Sequence, residues 1–323
     1  MDASTATPGA APELSVVVPI FNERAVLPEL LQRLVAMLET ATPDYEVVFV
    51  DDGSIDESPA ILLDAADRNA RLRVLRLSRN FGHQAAVTAG IEHARGRAVV
   101  VIDADLQDPP EVIPELVAKW REGWEVVSAV RTERPGESAL RLFLIRTFYR
   151  VLQRIASVDM TPDVGDFRLL DRRVADALNR MPERNRYVRG LIRWLGFRHA
   201  EVRYKRAERF AGETKYPYTK LVRLALDGVT AFSNFPLQLV AWMGFAVFGL
   251  SLLLVAYGIL GRLFGGATPA GWTSVFVAVA FLSGIQLVAL GILGTYVSRI
   301  FEEVKGRPLY VIATDTARDR ERR

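Results

Sequence analysis

The sequence predicts an α/β fold in which a mostly parallel sheet is covered by helices on both faces and followed by a two-helix transmembrane hairpin. Short apolar segments alternate with amphipathic segments through the first part of the chain, and such regular strand–helix alternation is typical of parallel sheets. Two later segments, 236–260 and 272–298, contain no charged residue. Each is longer than the roughly 20 residues that a helix needs to cross a bilayer.

Five strands and three intervening helices are predicted before residue 131. The strand predictions rest on short runs of apolar, largely β-branched residues. These runs are 14–19, 46–51, 72–77, 98–103 and 124–130. The helix predictions rest on apolar residues at helical spacing. The predicted helices cover about 24–40, 59–69 and 84–94, and the first carries the stripe Leu27, Leu30, Leu31, Leu34 and Leu38.

The segment 99–110, VVVIDADLQDPP, predicts a buried strand that ends in carboxylates. Two consecutive prolines at its end prevent the strand from continuing. Asp103 and Asp105 therefore lie at the carboxyl tip of the strand, with Gln107 beside them. Such a compact set of oxygen ligands suits a hard divalent cation held against a phosphate. The alternative is a solvated strand end that binds nothing.

Polar residues also follow the second and third predicted strands. Asp51 and Asp52 end the second strand, and Arg79 and Asn80 follow the third. Sheets of this class bind ligands at the carboxyl ends of their strands. Because three successive strands deliver polar groups to one edge, we expect a binding site there and not a solvated edge.

Two consecutive parts of the chain before the predicted hairpin carry opposite charge. Residues 13–130 contain 20 acidic and 11 basic side chains, a net charge of −9, whereas residues 131–223 contain 11 acidic and 22 basic side chains, a net charge of +11. The first half suits a metal ion and the second suits anions such as phosphates or lipid headgroups. The chain has no cysteine, which excludes disulfides, thiolate metal sites and a cysteine nucleophile.

Composition divides the chain into four predicted parts. Residues 1–12 are rich in alanine and proline, without the features of a signal peptide, and are predicted to be disordered. Residues 13–225 are predicted to form the α/β domain, 226–300 the hairpin, and 301–323 a basic tail. Basic residues flank the hairpin on both sides, so the positive-inside rule predicts that the α/β domain and both termini lie in the cytoplasm.

Two further segments, 137–157 and 187–198, alternate arginines with large apolar residues at helical spacing. Basic amphipathic helices with aromatic residues often lie in a membrane interface. We therefore expect interface helices here. The alternative is that they pack on the core of the domain with their arginines facing outward.

Six motifs occur in order along the chain. They are VVVPIFNE (16–23), DDGSID (51–56), SRNFGHQ (78–84), DADLQDPPE (103–111), GDFRLLDR (165–172) and RFAGETKY (209–216). With the paired apolar spans, they resemble the membrane-associated family 2 glycosyltransferases that load a sugar onto a polyprenyl phosphate. These include the dolichol-phosphate mannose synthases and, more closely, the bacterial bactoprenol (undecaprenyl-phosphate) glucosyltransferases. The resemblance covers about residues 14–307 and implies a Rossmann-like GT-A fold.

The resemblance also implies where the donor binds. It places the nucleotide pocket on Pro19, Glu23, Asp52 and Asp103. It places a Mg²⁺ or Mn²⁺ ion on Asp105 and Gln107, with Asp103 beside them, where the metal would neutralise the diphosphate of a nucleotide-sugar donor.

Basic groups are implied on the phosphate side of the site. Arg131 matches a phosphate-facing arginine. Arg209 and Lys215 match a basic pair on a loop that closes over the phosphates; the alternative is a solvated basic loop. Asp166 is the candidate for positioning or deprotonating the acceptor, or alternatively a helix N-cap, and Arg168 is a candidate for the acceptor phosphate.

The implied activity is the inverting transfer of a single sugar, first of all glucose from UDP-glucose, to undecaprenyl phosphate at the cytosolic face of a bacterial inner membrane. A phosphate monoester has a second pKa of about 6, so this acceptor needs little help from a general base. Processive synthases of the superfamily carry Gln-x-x-Arg-Trp, whereas this chain has Gly190 at the glutamine position. Two helices also cannot enclose a translocation channel, which favours single transfer.

Several alternatives stay open at this point. The sugar could be GlcNAc, galactose, mannose or aminoarabinose, and the acceptor could be another lipid such as diacylglycerol. A different class of function is a non-catalytic membrane adaptor that binds a nucleotide. The expected partners are the nucleotide sugar, the polyprenyl phosphate and the bilayer, with a homo-oligomer and a flippase for the product as further expectations. No nucleic acid is expected.

Overall fold

The computed structural model describes residues 11–131, 164–184, 186–205 and 271–321, with scattered positions between 237 and 260. The chain forms two compact units. The first contains the described residues up to 205 and those from Arg307 onward, and the second contains the described residues from 237 to Gly306. The candidate site lies entirely in the first unit.

The first unit is built on an eight-stranded sheet with the strand order β7-β5-β6-β4-β1-β2-β3-β8. The strands are β1 (Leu14–Ile20), β2 (Tyr45–Asp51), β3 (Leu72–Leu77), β4 (Ala98–Val101), β5 (Val126–Arg131), β6 (Val164–Asp171), β7 (His199–Tyr204) and β8 (Ile312–Asp315). Strands β1 to β4 are parallel, as are β5 and β7, whereas β6 and β8 run antiparallel to their neighbours. The predicted α/β class with a mostly parallel sheet is confirmed.

Helices cover both faces of this sheet. They are α1 (Leu27–Ala41), α2 (Ser58–Arg68), α3 (His83–His93), α4 (Ile113–Arg121), α5 (Arg172–Asn179) and α6 (Val188–Trp194), with a 3₁₀ turn at Pro110–Val112. The leucines of α1 pack in a core with Phe49 and Phe167. On the opposite face α3 lies so close to β1 that a Cβ added to Gly90 would come within 2.1 Å of Val17 Cγ1.

The C-terminal segment, predicted as a basic tail over 301–323, contributes strand β8 and a short helix, α8 (Thr316–Glu321). Arg73 on β3 donates from Nε and Nη2 to the two carboxylate oxygens of Asp315, at 2.9 and 2.7 Å. Both side chains are almost fully buried. The basic composition gave no sign of this strand, because an edge strand is held through its backbone and needs few apolar residues.

The second unit contains a 33-residue helix, α7 (Trp272–Val304), which at 1.5 Å per residue is roughly 50 Å long. Its segment Phe281–Val304 is long and apolar enough to cross a membrane, and none of its most apolar window is buried in the structure. It is the one such helix among the residues that the structure describes. Nearly half of the first predicted span, 236–260, and all of the segment 137–157 lie outside the described residues, so the hairpin stays a prediction.

Candidate active site

The pairing of the strands brings the predicted site residues to one edge of the sheet. Strands β1 to β4 end there because they are parallel. Strand β6 runs antiparallel to β4, and its Arg168 lies opposite Val101. Asp166 precedes Arg168 by two residues and Asp103 follows Val101 by two. This register therefore places Asp166 next to Asp103. Strands β5 and β7 end at the same edge, where Arg131 pairs with Tyr204.

Asp52 ties the end of β2 to the start of α3. Its two carboxylate oxygens accept hydrogen bonds from the backbone N–H groups of Phe81 and Gly82, at 2.7 and 2.9 Å. Burial raises the pKa of Asp52, although these two hydrogen bonds oppose the rise. The contact fixes the loop before α3 and so places His83, the first residue of that helix, at the sheet edge.

The loops after β2 and β3 are in close contact. Gly53 has a positive φ of 71°, and a Cβ at this position would lie 2.5 Å from the carbonyl carbon of Arg79. Only glycine fits here without displacing the second loop. The guanidinium group of Arg79 stacks over the ring of Phe81, 4.1 Å from its centroid, which is a cation–π distance.

Asp166 is the most strongly bound carboxylate at this edge. Arg189 on α6 donates from Nε and Nη2 to its two oxygens, at 2.6 and 2.8 Å, and His83 Nε2 lies 3.0 Å from Oδ2. Burial would raise the pKa of Asp166, but the hydrogen bonds from Arg189 and His83 hold it far below its usual range. The N-cap alternative for Asp166 is wrong, because Asp171 caps α5 by accepting from Arg173 N.

Asp103 has the opposite electrostatic environment. Burial raises its pKa to about 6, the nearby charge of His83 opposes the rise, and the carboxylates of Asp166, Asp108 and Asp105 add to it. Among the residues that the structure describes, the ion-pair contact of Asp103 is with His83, whose Nε2 lies 3.8 Å from Oδ1. Asp103 is therefore an anion that would gain from an additional cation.

The segment after Asp103 has a strained backbone. Leu106 is buried and has a positive φ of 57°, a conformation that bulky side chains rarely adopt. The turn lets Gln107 N donate to Asp105 Oδ1 at 3.1 Å. Strain of this kind often marks a binding site.

The residues at this turn fit a divalent metal of the predicted kind. No group of three or more His, Cys, Asp or Glu side chains that could hold a metal occurs in the described part of the chain. Mg²⁺ is nevertheless commonly bound by one or two carboxylates together with substrate phosphates. Asp103, with its raised pKa, and Asp105 offer that incomplete ligand set, which a diphosphate would complete.

A second cluster surrounds Asp108. Tyr204 donates its hydroxyl to Asp108 Oδ1, and Arg131 Nη2 lies 3.3 Å from both oxygens of Asp108. Arg131 Nε also donates to the Tyr204 hydroxyl oxygen at 3.1 Å. Burial would lower the pKa of Arg131, but Asp108 and Tyr204 raise it. Arg131 is thus a cation fixed at the edge by Asp108 and Tyr204, and its predicted contact with a phosphate stays a prediction.

The other predicted residues have varied positions. Pro19 is buried in β1 and Glu23 lies in the loop that follows it, with its backbone N–H donating to Ser58 Oγ at 3.0 Å. Arg168 is only 3% exposed, and burial lowers its pKa to about 10. Arg209 and Lys215 lie outside the described residues.

Sequence reasoning missed four residues of the two clusters: His83, Asp108, Arg189 and Tyr204. His83 and Asp108 lie inside motifs that were recognised, SRNFGHQ and DADLQDPPE, so their motif membership was an available signal. Arg189 lies in the predicted amphipathic segment, whose arginines were expected to face either a membrane interface or the solvent. Tyr204 had no signal in the sequence alone.

Comparison with known proteins assigns the family. The model described as glycosyl transferase family 2 matches residues 15–178, about half of the chain. The chain belongs to this family. A Bacillus subtilis (strain 168) relative, the uncharacterized glycosyltransferase YkcC, is 46% identical over 300 residues, 93% of each protein. An SfII prophage-derived bactoprenol glucosyl transferase of Shigella flexneri is 40% identical over 93% of this chain and 97% of that protein.

Among solved structures, this family 2 member is similar to a glucosyl-3-phosphoglycerate synthase from Mycobacterium tuberculosis in complex with Mn²⁺, UDP and phosphoglyceric acid. The identity is 19%, the TM-score is 0.48, and the match covers 66% of this chain and 75% of that one. A likeness at this level carries no argument about ligands. The family match and the relatives establish that the chain is a hexosyltransferase.

Proposed function

We propose that this protein transfers a single glucose from UDP-glucose to undecaprenyl phosphate, with inversion, at the cytosolic face of a bacterial inner membrane. The observation that carries the proposal is one sheet edge with two kinds of group. The carboxylates of Asp52, Asp103 and Asp105 suit a nucleotide and a metal, whereas Arg189 and Arg131 suit phosphates. Relatives named bactoprenol glucosyl transferases, which cover nearly the whole chain, support this acceptor and this sugar.

The donor side of the reaction needs its charge neutralised. A Mg²⁺ or Mn²⁺ ion on Asp105 and Gln107, beside Asp103, would offset the charge that develops on the diphosphate as the sugar leaves. Asp52 would hold the nucleoside together with Pro19 and Glu23. The bond between the sugar's anomeric carbon and the diphosphate breaks, and UDP is the leaving group.

The acceptor side needs positioning more than proton removal. A phosphate monoester is mostly a dianion at neutral pH, because its second pKa is about 6. One of its oxygens forms the new bond to the anomeric carbon from the face opposite the diphosphate. Bringing two anions together requires counter-charge, which the excess of basic residues over 131–223 supplies. We assign Arg209 and Lys215 to the loop that would close over the phosphates.

The test is a transfer assay with the purified full-length protein in detergent. Labelled UDP-glucose, undecaprenyl phosphate and Mg²⁺ should give a labelled lipid-soluble product. Parallel reactions offer UDP-GlcNAc, UDP-galactose and GDP-mannose as donors and diacylglycerol as acceptor. Product from another donor or acceptor would correct the proposed substrates. No product with any combination would favour the adaptor function.

Asp105→Asn tests the metal assignment in the same assay. Loss of several kcal/mol of charge stabilisation corresponds to a fall of about 100-fold or more in turnover. The matched control is Asp64→Asn on α2, whose exposed carboxylate pairs only with Arg68 among the described residues; this variant should retain full turnover. Full turnover of Asp105→Asn would remove the metal from this position.

A further inference from the structure

Arg189 is held by one edge of its guanidinium group and has a donor left over. Its Nε and Nη2 atoms both bind Asp166. Its side chain is 36% exposed, compared with 4% for Asp166. Among the residues that the structure describes, no partner is present for its third nitrogen, Nη1. The group is thus fixed in orientation and still able to bind a ligand.

Besides the pair with Asp166, two contacts fix Arg189 in this orientation. His83 Nε2 contacts the carboxylate of Asp166 from α3. Gln84, next in α3, accepts from the backbone N–H of Val188 at 3.0 Å, so the start of α6 is tied to the start of α3. A guanidinium group fixed in this way loses little conformational entropy when it binds an oxyanion.

The helix that carries Arg189 also carries a large exposed apolar side chain. Trp194 lies five residues further along α6 and is 64% exposed, which at 1.5 Å per residue is roughly 8 Å along the helix axis. An indole with one wet and one apolar side suits a membrane interface. One short helix therefore carries a hydrogen-bond donor for a phosphate at its start and an exposed apolar side chain near its end.

We propose that Arg189 binds the phosphate of the polyprenyl acceptor through Nη1, that Asp166 positions Arg189, and that Trp194 contacts the adjoining isoprenoid chain. This inference rests on the proposed function, because it assumes a lipid phosphate as the acceptor. It changes the role of Asp166. The carboxylate is occupied by Arg189 and His83, so it orients the acceptor site instead of taking a proton.

Arg189→Gln is the direct test in the transfer assay. Loss of a charge-assisted hydrogen bond, worth about 1.5–3 kcal/mol, should raise the KM for undecaprenyl phosphate about 10- to 100-fold. The KM for UDP-glucose should stay within about twofold of the wild-type value. Arg189→Lys retains the charge without the bidentate geometry, so its KM for undecaprenyl phosphate should lie between those of the wild type and Arg189→Gln. Arg180→Gln, which removes an exposed arginine at the end of α5, is the matched control and should change neither constant.

Asp166→Asn separates positioning from general-base catalysis. A positioning residue should raise the acceptor KM with a small change in kcat. Removal of a general base would instead lower kcat by about 100-fold or more. Such a fall in kcat at saturating acceptor, with an unchanged acceptor KM, would overturn the positioning role.

Two binding measurements keep the inference separate from the proposed function. Inorganic phosphate should raise the thermal midpoint of the wild type and of Arg180→Gln, but not of Arg189→Gln, because a ligand of the folded state stabilises it. UDP binding, measured by titration calorimetry, should be the same in all three. A weaker UDP affinity in Arg189→Gln would assign the residue to the donor diphosphate and overturn the inference, as would an unchanged phosphate response. Absence of transfer by the wild type would refute the proposed function, while the phosphate measurement would still test the anion site.

Discussion

Two arginine–aspartate pairs in the first unit have the same bidentate geometry but different surroundings. Arg73 and Asp315 join β3 to β8, and their side chains are 9% and 3% exposed. Arg189 and Asp166 join α6 to β6, and here the arginine is 36% exposed over an equally buried carboxylate. The two pairs therefore differ mainly in the solvent exposure of the arginine.

The third nitrogen of each arginine shows what the difference means. Arg73 Nη1 donates to the backbone carbonyl of His93 at 2.9 Å, so all three nitrogens of that group have partners. In Arg189 only two nitrogens have partners among the described residues. A fully satisfied buried pair contributes to the fold alone. In a pair such as Arg189 and Asp166, the carboxylate orients the guanidinium group in the same way, but the remaining nitrogen can donate a hydrogen bond to a ligand.

The largest expected effect comes from breaking the closed pair. Asp315→Ala leaves the buried guanidinium group of Arg73 without its partner, which typically costs about 3–5 kcal/mol of unfolding free energy. This loss of unfolding free energy is measured by urea denaturation of the detergent-solubilised protein, with tryptophan fluorescence as the signal. A loss below about 1 kcal/mol would mean that the strand β8 contact contributes little to the fold.

Arg318→Ala is the control for this change. Arg318 also lies near Asp315, at 3.6 Å, but its side chain is 66% exposed. Exposed ion pairs contribute about 0–1 kcal/mol, so this variant should lose no more than that. The double replacement Arg73→Met with Asp315→Leu should recover most of the stability, because apolar residues often substitute well for a buried pair.

The two pairs also show what the sequence could predict. The strand pattern predicted the sheet edge and named Asp103, because strand ends and their polar residues are local features of the sequence. Asp166 was named by the family resemblance of the GDFR motif. The partners of these carboxylates are not local. Asp315 is 242 residues from Arg73. Arg189 belongs to a short helix with several arginines, and the sequence pattern does not distinguish the one that contacts Asp166. Such partners follow from strand order and register, which periodicity does not report.

The second prediction uses acid to weaken the closed pair. Burial would raise the pKa of Asp315, but its hydrogen bonds with Arg73 lower it below the usual value. Its contribution to stability is therefore present above pH 4, near the pKa in the unfolded chain, and is lost as the pH falls further toward the lowered pKa. The stability difference between the wild type and Asp315→Asn should be at its full size at pH 7 and should shrink as the pH falls below about 4. A difference independent of pH would show that the carboxylate charge is not what stabilises β8.

The last prediction concerns Asp103, which lies beside the open pair and forms no ion pair with an arginine among the described residues. Because its pKa is raised to about 6, ionisation of this carboxylate destabilises the fold as the pH rises from about 4 through 6. A shift of this size corresponds to roughly 3 kcal/mol for a fully buried group, but 31% of this side chain is exposed, so about 1 kcal/mol is expected after screening by solvent. Asp103→Asn should therefore gain about 1 kcal/mol of stability relative to the wild type between pH 4 and pH 8 in a metal-free buffer, measured by urea denaturation at both pH values. The exposed Asp64→Asn should show no such gain. If the two variants gain the same stability, Asp103 is as well solvated as a surface carboxylate. The pKa difference between Asp103 and Asp166 would then not be due to the arginine partner of Asp166.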